Sequence, residues 1–358
     1  MKEDKIAVNT RYFIKLGEEL TGLTTIYDIA KRTGYSPTTV SKAFNNYSDV
    51  REKTRQEIFR VAQEMGYLPN SHARTLTTKK SWTIGVLFVE NTGVGIRHPF
   101  FSAVIESFKK VAVDKGYALM FISKDVGGKQ SGYLENCRIR GVDGVVVFLS
   151  DYNDPYFREL LESDIPTVII DFETTQTHTV CSDNTVGAQL AVGYLASLGH
   201  RKIAHISGGM NTYPGKMREL GYKKAMKQQG FNVPKSYVVS GAFYSREGGY
   251  SAMLQLLKLP ERPTAVFASG DLLALGAIMA AKDSGFSVPH DISVVGYDDI
   301  DLAQYVTPAL TTIRQDTELL GSRAAAILLA SIEGKQLNKE AILIPVEIIE
   351  RESCAPPG

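Results

Sequence analysis

From Trp82 onward, short apolar runs alternate with stretches of helical pattern, and that rhythm restricts the possible folds more than any other feature of the chain. The runs at 84–89, 118–123, 144–149, 167–170, 203–207, 264–268 and 292–296 are brief and almost continuously apolar. Strands of this type are covered on both faces, as in a parallel sheet flanked by helices. Helix-like segments at 99–115, 185–198, 217–229 and 272–284 lie between them. Residues 82–358 are long enough for two such sheets. An α/β body of two doubly wound parallel-sheet lobes is therefore expected, with a ligand cleft at the carboxyl ends of the strands.

The N-terminal part follows a different pattern. Residues 26–45 read as a helix-turn-helix. Ala30 is small enough for a second helix to approach the first, Gly34 permits a left-handed turn, and Val40 fills the angle. Ser36 suits an N-cap and Pro37 the first helical position, so a new helix is expected there. Its outward residues Thr38, Ser41 and Lys42 are short polar or cationic groups able to reach base edges and phosphates. Residues 50–65 carry a partial apolar stripe that closes an all-α head, ended by Gly66. Residues 70–78 read as one or two helical turns, too short to be stable alone and so able to fold on docking. The expected organisation is an unassigned extension at 1–23, the head at 24–69, a hinge helix and linker at 70–81, and the body at 82–358.

The net charge of +1 conceals an asymmetry. Residues 24–80 carry ten Lys and Arg against five Asp and Glu, whereas residues 81–358 carry 26 against 30. A basic head on a mildly acidic body fits polyanion binding confined to the head; a solvated helical surface is the plainer reading of so modest an excess. No run of about 18 apolar residues exists, so no membrane span is expected. Residues 1–24 lack an apolar stretch behind basic residues, which predicts a cytoplasmic chain. Cys137, Cys181 and Cys354 are scattered and form no CxxC, as suits a reducing compartment without a metal site. GxxxxGK[ST], HExxH and GxSxG are all absent, so neither catalytic residues nor a cofactor is expected.

Nine segments occur in the order of one family: Thr25-Ile-Tyr-Asp-Ile-Ala, Gly66-Tyr-Leu-Pro-Asn, Ala73-Arg-Thr-Leu, Val142-Asp-Gly-Val-Val, Ser182-Asp-Asn, Gly199-His-Arg-Lys-Ile, Gly296-Tyr-Asp-Asp, Pro308-Ala-Leu-Thr-Thr and Glu350-Arg-Glu-Ser. From residue 24 to 357 the chain resembles the lactose-repressor/galactose-repressor family of bacterial regulators, to which the purine repressor and the catabolite control protein belong. The resemblance implies a homodimer that binds a palindromic operator in double-stranded DNA, with a body of the periplasmic-binding-protein type I fold that senses a small molecule. The family's base readers fall on Pro37, Thr38 and Lys42. Pro37 departs from the larger polar or aromatic residues often found there, so the half-site cannot be copied from a relative. Ala73 and Leu76 are the DNA-binding candidates of the hinge. Leu76 matches the leucine that wedges into the minor groove, where unstacking costs about a few kcal/mol and two hinges must dock together to offset it. Capping or solvation remains the plainer role for Thr38, and packing against the body for Leu76.

Matching positions imply an effector pocket made by Phe101, Asp171, Arg218, Phe243 and Asp298. Carboxylates accept pairs of hydroxyl hydrogen bonds, Arg218 donates a planar fork, and the aromatic faces cover a sugar ring or stack on a base. That mix implies a sugar or sugar phosphate, with a nucleobase or a protein corepressor as alternatives. Each residue also has a plainer role: core for the two phenylalanines, turn capping for the aspartates, a lobe ion pair for Arg218. Asp271 reads as a helix N-cap. Residues 91–98 read as a longer loop than is usual in the family, one expected to reshape a wall of the pocket. A solute-binding protein without a regulatory role would share the body, and a carboxylate pair can serve glycoside chemistry; the helix-turn-helix opposes the first reading. Residues 346–358 lack a leucine heptad, which favours a dimer over a tetramer assembled by a tail.

Overall fold

The computed structural model describes residues 24–44, 47–67, 80–88, 95–149, 153–209, 212–242 and 244–358, and the chain divides at Ser81/Trp82 into two units. In the first unit, helix α1 (Ile26–Thr33) opens on a capping box. The Thr25 backbone N–H donates to the Asp28 carboxylate at 2.8 Å, and the Asp28 N–H returns a bond to the Thr25 hydroxyl at 3.4 Å. Gly34 ends α1 at φ 76°, a left-handed conformation that costs a residue with a Cβ free energy. Helix α2 (Pro37–Phe44) begins on Ser36, whose hydroxyl accepts from the Thr39 N–H at 3.1 Å. Helix α3 (Glu52–Glu64) lies across both. Ile29, Ala30, Val40, Ala43, Val50, Ile58, Val61 and Ala62 form the small core between them.

The second unit holds two six-stranded sheets. The first lobe contains β1 (Thr83–Phe88), α4 (Pro99–Asp114), β2 (Ala118–Ile122), a small β3 (Asp125–Val126) and β4 (Lys129–Gln130) hairpin, α5 (Tyr133–Arg140), β5 (Gly144–Leu149), α6 (Pro155–Leu161), β6 (Thr167–Ile170) and β7 (His178–Ser182). The chain then crosses to the second lobe with α7 (Asn184–Ser197), β8 (Ile203–Ser207), α8 (Tyr213–Gln228), β9 (Val238–Ser240), α9 (Arg246–Leu257), β10 (Ala265–Ala268), α10 (Asp271–Asp283), β11 (Ser293–Asp298) and β12 (Thr311–Gln315). It returns with α11 (Thr317–Ile332) and β13 (Ile342–Ile344), then crosses a last time to β14 (Val346–Ile349).

Strand order is β13-β7-β6-β5-β1-β2 in one sheet and β14-β12-β11-β10-β8-β9 in the other. Within these two sheets all pairings are parallel except β12 with β14. Helices cover both faces of each sheet, as the apolar strands require. Where α9 meets α10 the backbones nearly touch, and a Cβ on Gly276 would collide with the Arg246 carbonyl. Aspartates cap the helices that follow two crossings: Asp183 accepts from the Val186 N–H at 3.0 Å, and Asp316 from the Leu319 N–H at 2.8 Å. Three crossings of the chain join the lobes, at 183, 316 and 345.

Candidate functional site

Two regions carry chemistry. In the first unit, Val40 and Ala43 are buried on one side of α2, while Thr38 is exposed and Pro37, Ser41 and Lys42 are half-buried. Residues 38, 41 and 42 share a face by helical spacing, and that face presents two hydroxyls and an ammonium. Lys42 is not unpartnered: its Nζ forms an ion pair with Asp49 in the loop before α3. The periodicity that located α2 carried no sign of this carboxylate. Ala73 and Leu76 lie outside the described residues.

In the second unit, the site is built where strands end at the boundary between lobes. Asp171 follows β6, and its carboxylate accepts from the Ser182 N–H at 3.3 Å and from Asn184 Nδ2 at 3.4 Å. Asn184, the first residue of α7, is buried and turns its Oδ1 to Arg218 Nε at 2.7 Å. One amide side chain thus links a carboxylate of the first lobe to a guanidinium of the second. Arg218 Nη1 donates to the Ser269 carbonyl at 2.5 Å and lies 3.5 Å from Asp298 Oδ1. Asp298 closes β11 and accepts from Gln315 Nε2 at 2.7 Å. The guanidinium carbon stands 5.8 Å from the centre of the Tyr244 ring.

Electrostatics follow from this crowding. Burial pushes the carboxyls of Asp171 and Asp298 up to about 6 each, against the pull of Arg218. His98 stands at the start of α4 beside Phe101 without a side-chain bond to the helix, and burial, then the Arg218 charge, lowers its imidazole to about 4. It is therefore neutral near pH 7. His98 Nδ1, Ser182 Oγ, Gln315 Oε1 and Tyr297 Oη are buried without a hydrogen-bond partner among the described residues, on side chains that line or support this network. Buried polar atoms are normally paired, so such a gathering fits polar groups kept for a bound solute.

The backbone is strained in the same place. Asp171 (φ 52°), Tyr244 (φ 40°), Asp298 (φ 118°) and Asp299 (φ 54°) are all non-glycine residues at positive φ. Each such residue costs on the order of 1–3 kcal/mol and persists only when its surroundings fix it. Asp299 is fixed by a clamp, accepting from Arg314 Nε and Arg351 Nη2, both at 2.7 Å.

The expected pocket residues are thus distributed as follows. Arg218 and Asp298 share an ion pair, Asp171 joins them through Asn184, and Phe101 packs edge-on against Phe88 with its ring 5.6 Å from His98. Phe243 lies outside the described residues, between Ala242 and Tyr244. Asp271 requires a correction. Gly270 is the N-cap of α10, and the Asp271 carboxylate, fully buried, instead binds the Ile300 N–H at 2.9 Å and the Thr312 hydroxyl at 2.5 Å. Asn184, Ser269, Gln315 and His98 were not singled out by sequence reasoning. Asn184 lies within the Ser182-Asp-Asn segment, where the residues were visible but their role was not.

Known proteins share this fold. Residues 25–70 match the description "Bacterial regulatory proteins, lacI family", and residues 192–354 match "Periplasmic binding protein-like domain". The chain is 38% identical to the HTH-type transcriptional repressor PurR of Proteus mirabilis, over 93% of this chain and 97% of that protein. The lac repressor dimer bound to operator and the anti-inducer ONPF superposes with a TM-score of 0.81 at 29% identity, covering 93% of this chain and 100% of that one. The transcriptional regulator CelR in complex with cellobiose superposes with a TM-score of 0.69 at 28% identity, covering 92% and 99%. These relatives are regulators, not enzymes. The chain belongs to the lacI family of bacterial regulatory proteins, as a DNA-binding repressor with a helix-turn-helix head and a two-lobed periplasmic-binding-protein-like body.

Proposed function

We propose that this repressor grips a palindromic operator as a cytoplasmic homodimer, and that a small neutral solute held by Asp171, Arg218 and Asp298 sets its operator affinity. One observation carries the reading: Asn184 connects Asp171 of one lobe to Arg218 of the other. A solute bonding to these groups contacts both lobes, so its binding free energy depends on how far they close, and it selects one closure. Coupling of about 1–3 kcal/mol changes operator affinity roughly 5–150-fold.

The charges favour a neutral solute over a phosphorylated one. Two carboxylates face one guanidinium, two of whose donors already serve Asn184 and Ser269, and His98 adds no positive charge near pH 7. An anion entering there would meet no net attraction. A sugar fits best, and CelR in complex with cellobiose supports that class. A nucleobase is the second reading, supported by 38% identity to PurR across nearly the whole chain. In the head, Thr38, Ser41 and Lys42 would read the major groove beside Pro37. In the hinge, Ala73 and Leu76 would enter the minor groove.

The test is a thermal-shift screen of the full chain against neutral sugars, sugar phosphates and nucleobases. A neutral ligand is expected to raise the melting temperature and to change operator affinity. A phosphorylated ligand as the strongest binder would contradict the charge argument, and binding without any change in operator affinity would contradict the coupling.

A further inference from the structure

The ion pair between Lys42 and Asp49 adds little to the stability of the head. The Lys42 side chain is 41% exposed and that of Asp49 54%, and exposed pairs of this kind contribute little to stability. Yet Asp49 is not a stray loop residue. Val50, its neighbour, is buried in the head core. Arg55 of α3 donates from Nη2 to the Tyr47 carbonyl at 2.9 Å and to the Val50 carbonyl at 3.4 Å, one residue on either side of the 48–49 pair. The Tyr47 N–H bonds back to the Lys42 carbonyl at 3.1 Å, which folds this loop onto the end of α2. The Val50 N–H closes the turn on the Tyr47 carbonyl at 3.3 Å. The carboxylate is thus carried by a pinned turn and meets the ammonium that the α2 face offers to DNA.

We propose that Asp49 is a specificity-determining residue that holds Lys42 away from phosphates until an operator offers it a better partner. This rests on the reading above that Lys42 contacts DNA. On a duplex of arbitrary sequence, Lys42 gains one phosphate and loses one carboxylate, a near-even exchange of anions. At an operator the gain includes a base edge or a phosphate in fixed register, and the exchange becomes favourable. The pair therefore lowers non-specific affinity more than specific affinity, and raises the ratio between them. In a cell that ratio, not the operator affinity alone, decides occupancy against an excess of other sites.

The test uses the full chain, an operator obtained by selection from genomic fragments, and a scrambled duplex of equal length. Binding is followed by fluorescence anisotropy across a salt series. Asp49→Asn keeps the shape and removes the charge. It is expected to tighten binding to the scrambled duplex by about 3- to 10-fold at low salt, and to steepen the salt dependence by about one counterion per head. The operator should gain less, so specificity falls. Lys42→Ala is expected to weaken operator binding, and Lys42→Ala/Asp49→Asn to bind scrambled duplex no more tightly than Lys42→Ala.

Two results would overturn the proposal. An equal gain from Asp49→Asn with and without Lys42 would mean that Asp49 merely repels phosphates. An unchanged ratio in Asp49→Asn would mean that the pair has no bearing on specificity. If Lys42→Ala binds the operator as the parent does, the DNA-reading role of Lys42 fails first and the proposal fails with it. That outcome is distinct, because it appears without any change at position 49.

Discussion

The Arg218 guanidinium carbon stands 3.6 Å from the centre of the Tyr297 ring, and both residues are buried. The planar cation is held against an aromatic face while its edge reaches Asn184 and Ser269. A lysine ammonium has no flat face and no fixed fork. Arg218→Lys is therefore expected to destabilise the body by about 1–2 kcal/mol and to lose effector response. Arg218→Ala leaves Asp298 buried without its counter-charge and should cost about 3–5 kcal/mol. Urea unfolding followed through the single Trp, Trp82, checks both values. Unchanged stability in Arg218→Ala would show that the network is not formed.

The pH dependence of stability has a definite sign. Asp298 is raised to about 6 in the folded chain, above its ordinary value near 4. Between those values the folded state holds a proton that the unfolded state has released. Its contribution to stability is thus fully present below about pH 4 and lost as pH rises through about 6. Asp298→Asn removes this dependence. Between pH 4.5 and pH 7 the parent chain is expected to lose on the order of 1–3 kcal/mol more than the variant does. Parallel curves for the two proteins would refute the raised carboxyl.

Gly34 isolates a backbone effect. Nothing lies within 4 Å of where its Cβ would be, but φ is 76°. Gly34→Ala should therefore cost about 1 kcal/mol through conformation alone, and Gly34→Asn less, since Asn tolerates this region. Hydrogen exchange of the α1 and α2 amides measures it. Equal protection in Gly34→Ala and the parent would contradict the account of the turn.

Leu76→Ala tests the hinge directly. It is expected to weaken operator affinity at least tenfold while binding to scrambled duplex stays unchanged, because only the operator complex includes the unstacked step. Equal loss on both duplexes would refute a wedge.

What the sequence disclosed, and what it hid, follow from the physics of burial. Apolar strands such as Thr167–Ile170 and Ile203–Ser207 were legible because they bury both faces. β7 (His-Thr-Val-Cys-Ser) and β12 (Thr-Thr-Ile-Arg-Gln) were not, since their polar letters imitate a loop. In β12 the buried Thr312 and Gln315 find partners far away in the chain: Thr312 meets Asp271, and Gln315 meets Asp298. No local pattern records such distant pairings. Helix α8 starts at Tyr213, four residues before the expected 217, through a Thr212 cap and Pro214 in the first turn that went unread. For the candidate site, the resemblance pointed to Asp171, Arg218 and Asp298. Asn184, which joins them, was hidden because an asparagine at a helix start ordinarily signals no more than a cap.

The most direct measurement is operator affinity of the protein relative to scrambled duplex, taken with and without the neutral solute that most raises the melting temperature. The account predicts a ratio of at least about 10³ in one state and a 5- to 150-fold change in operator affinity on adding the solute, abolished in Arg218→Lys. A preference for operator that is the same with and without the bound solute would contradict it.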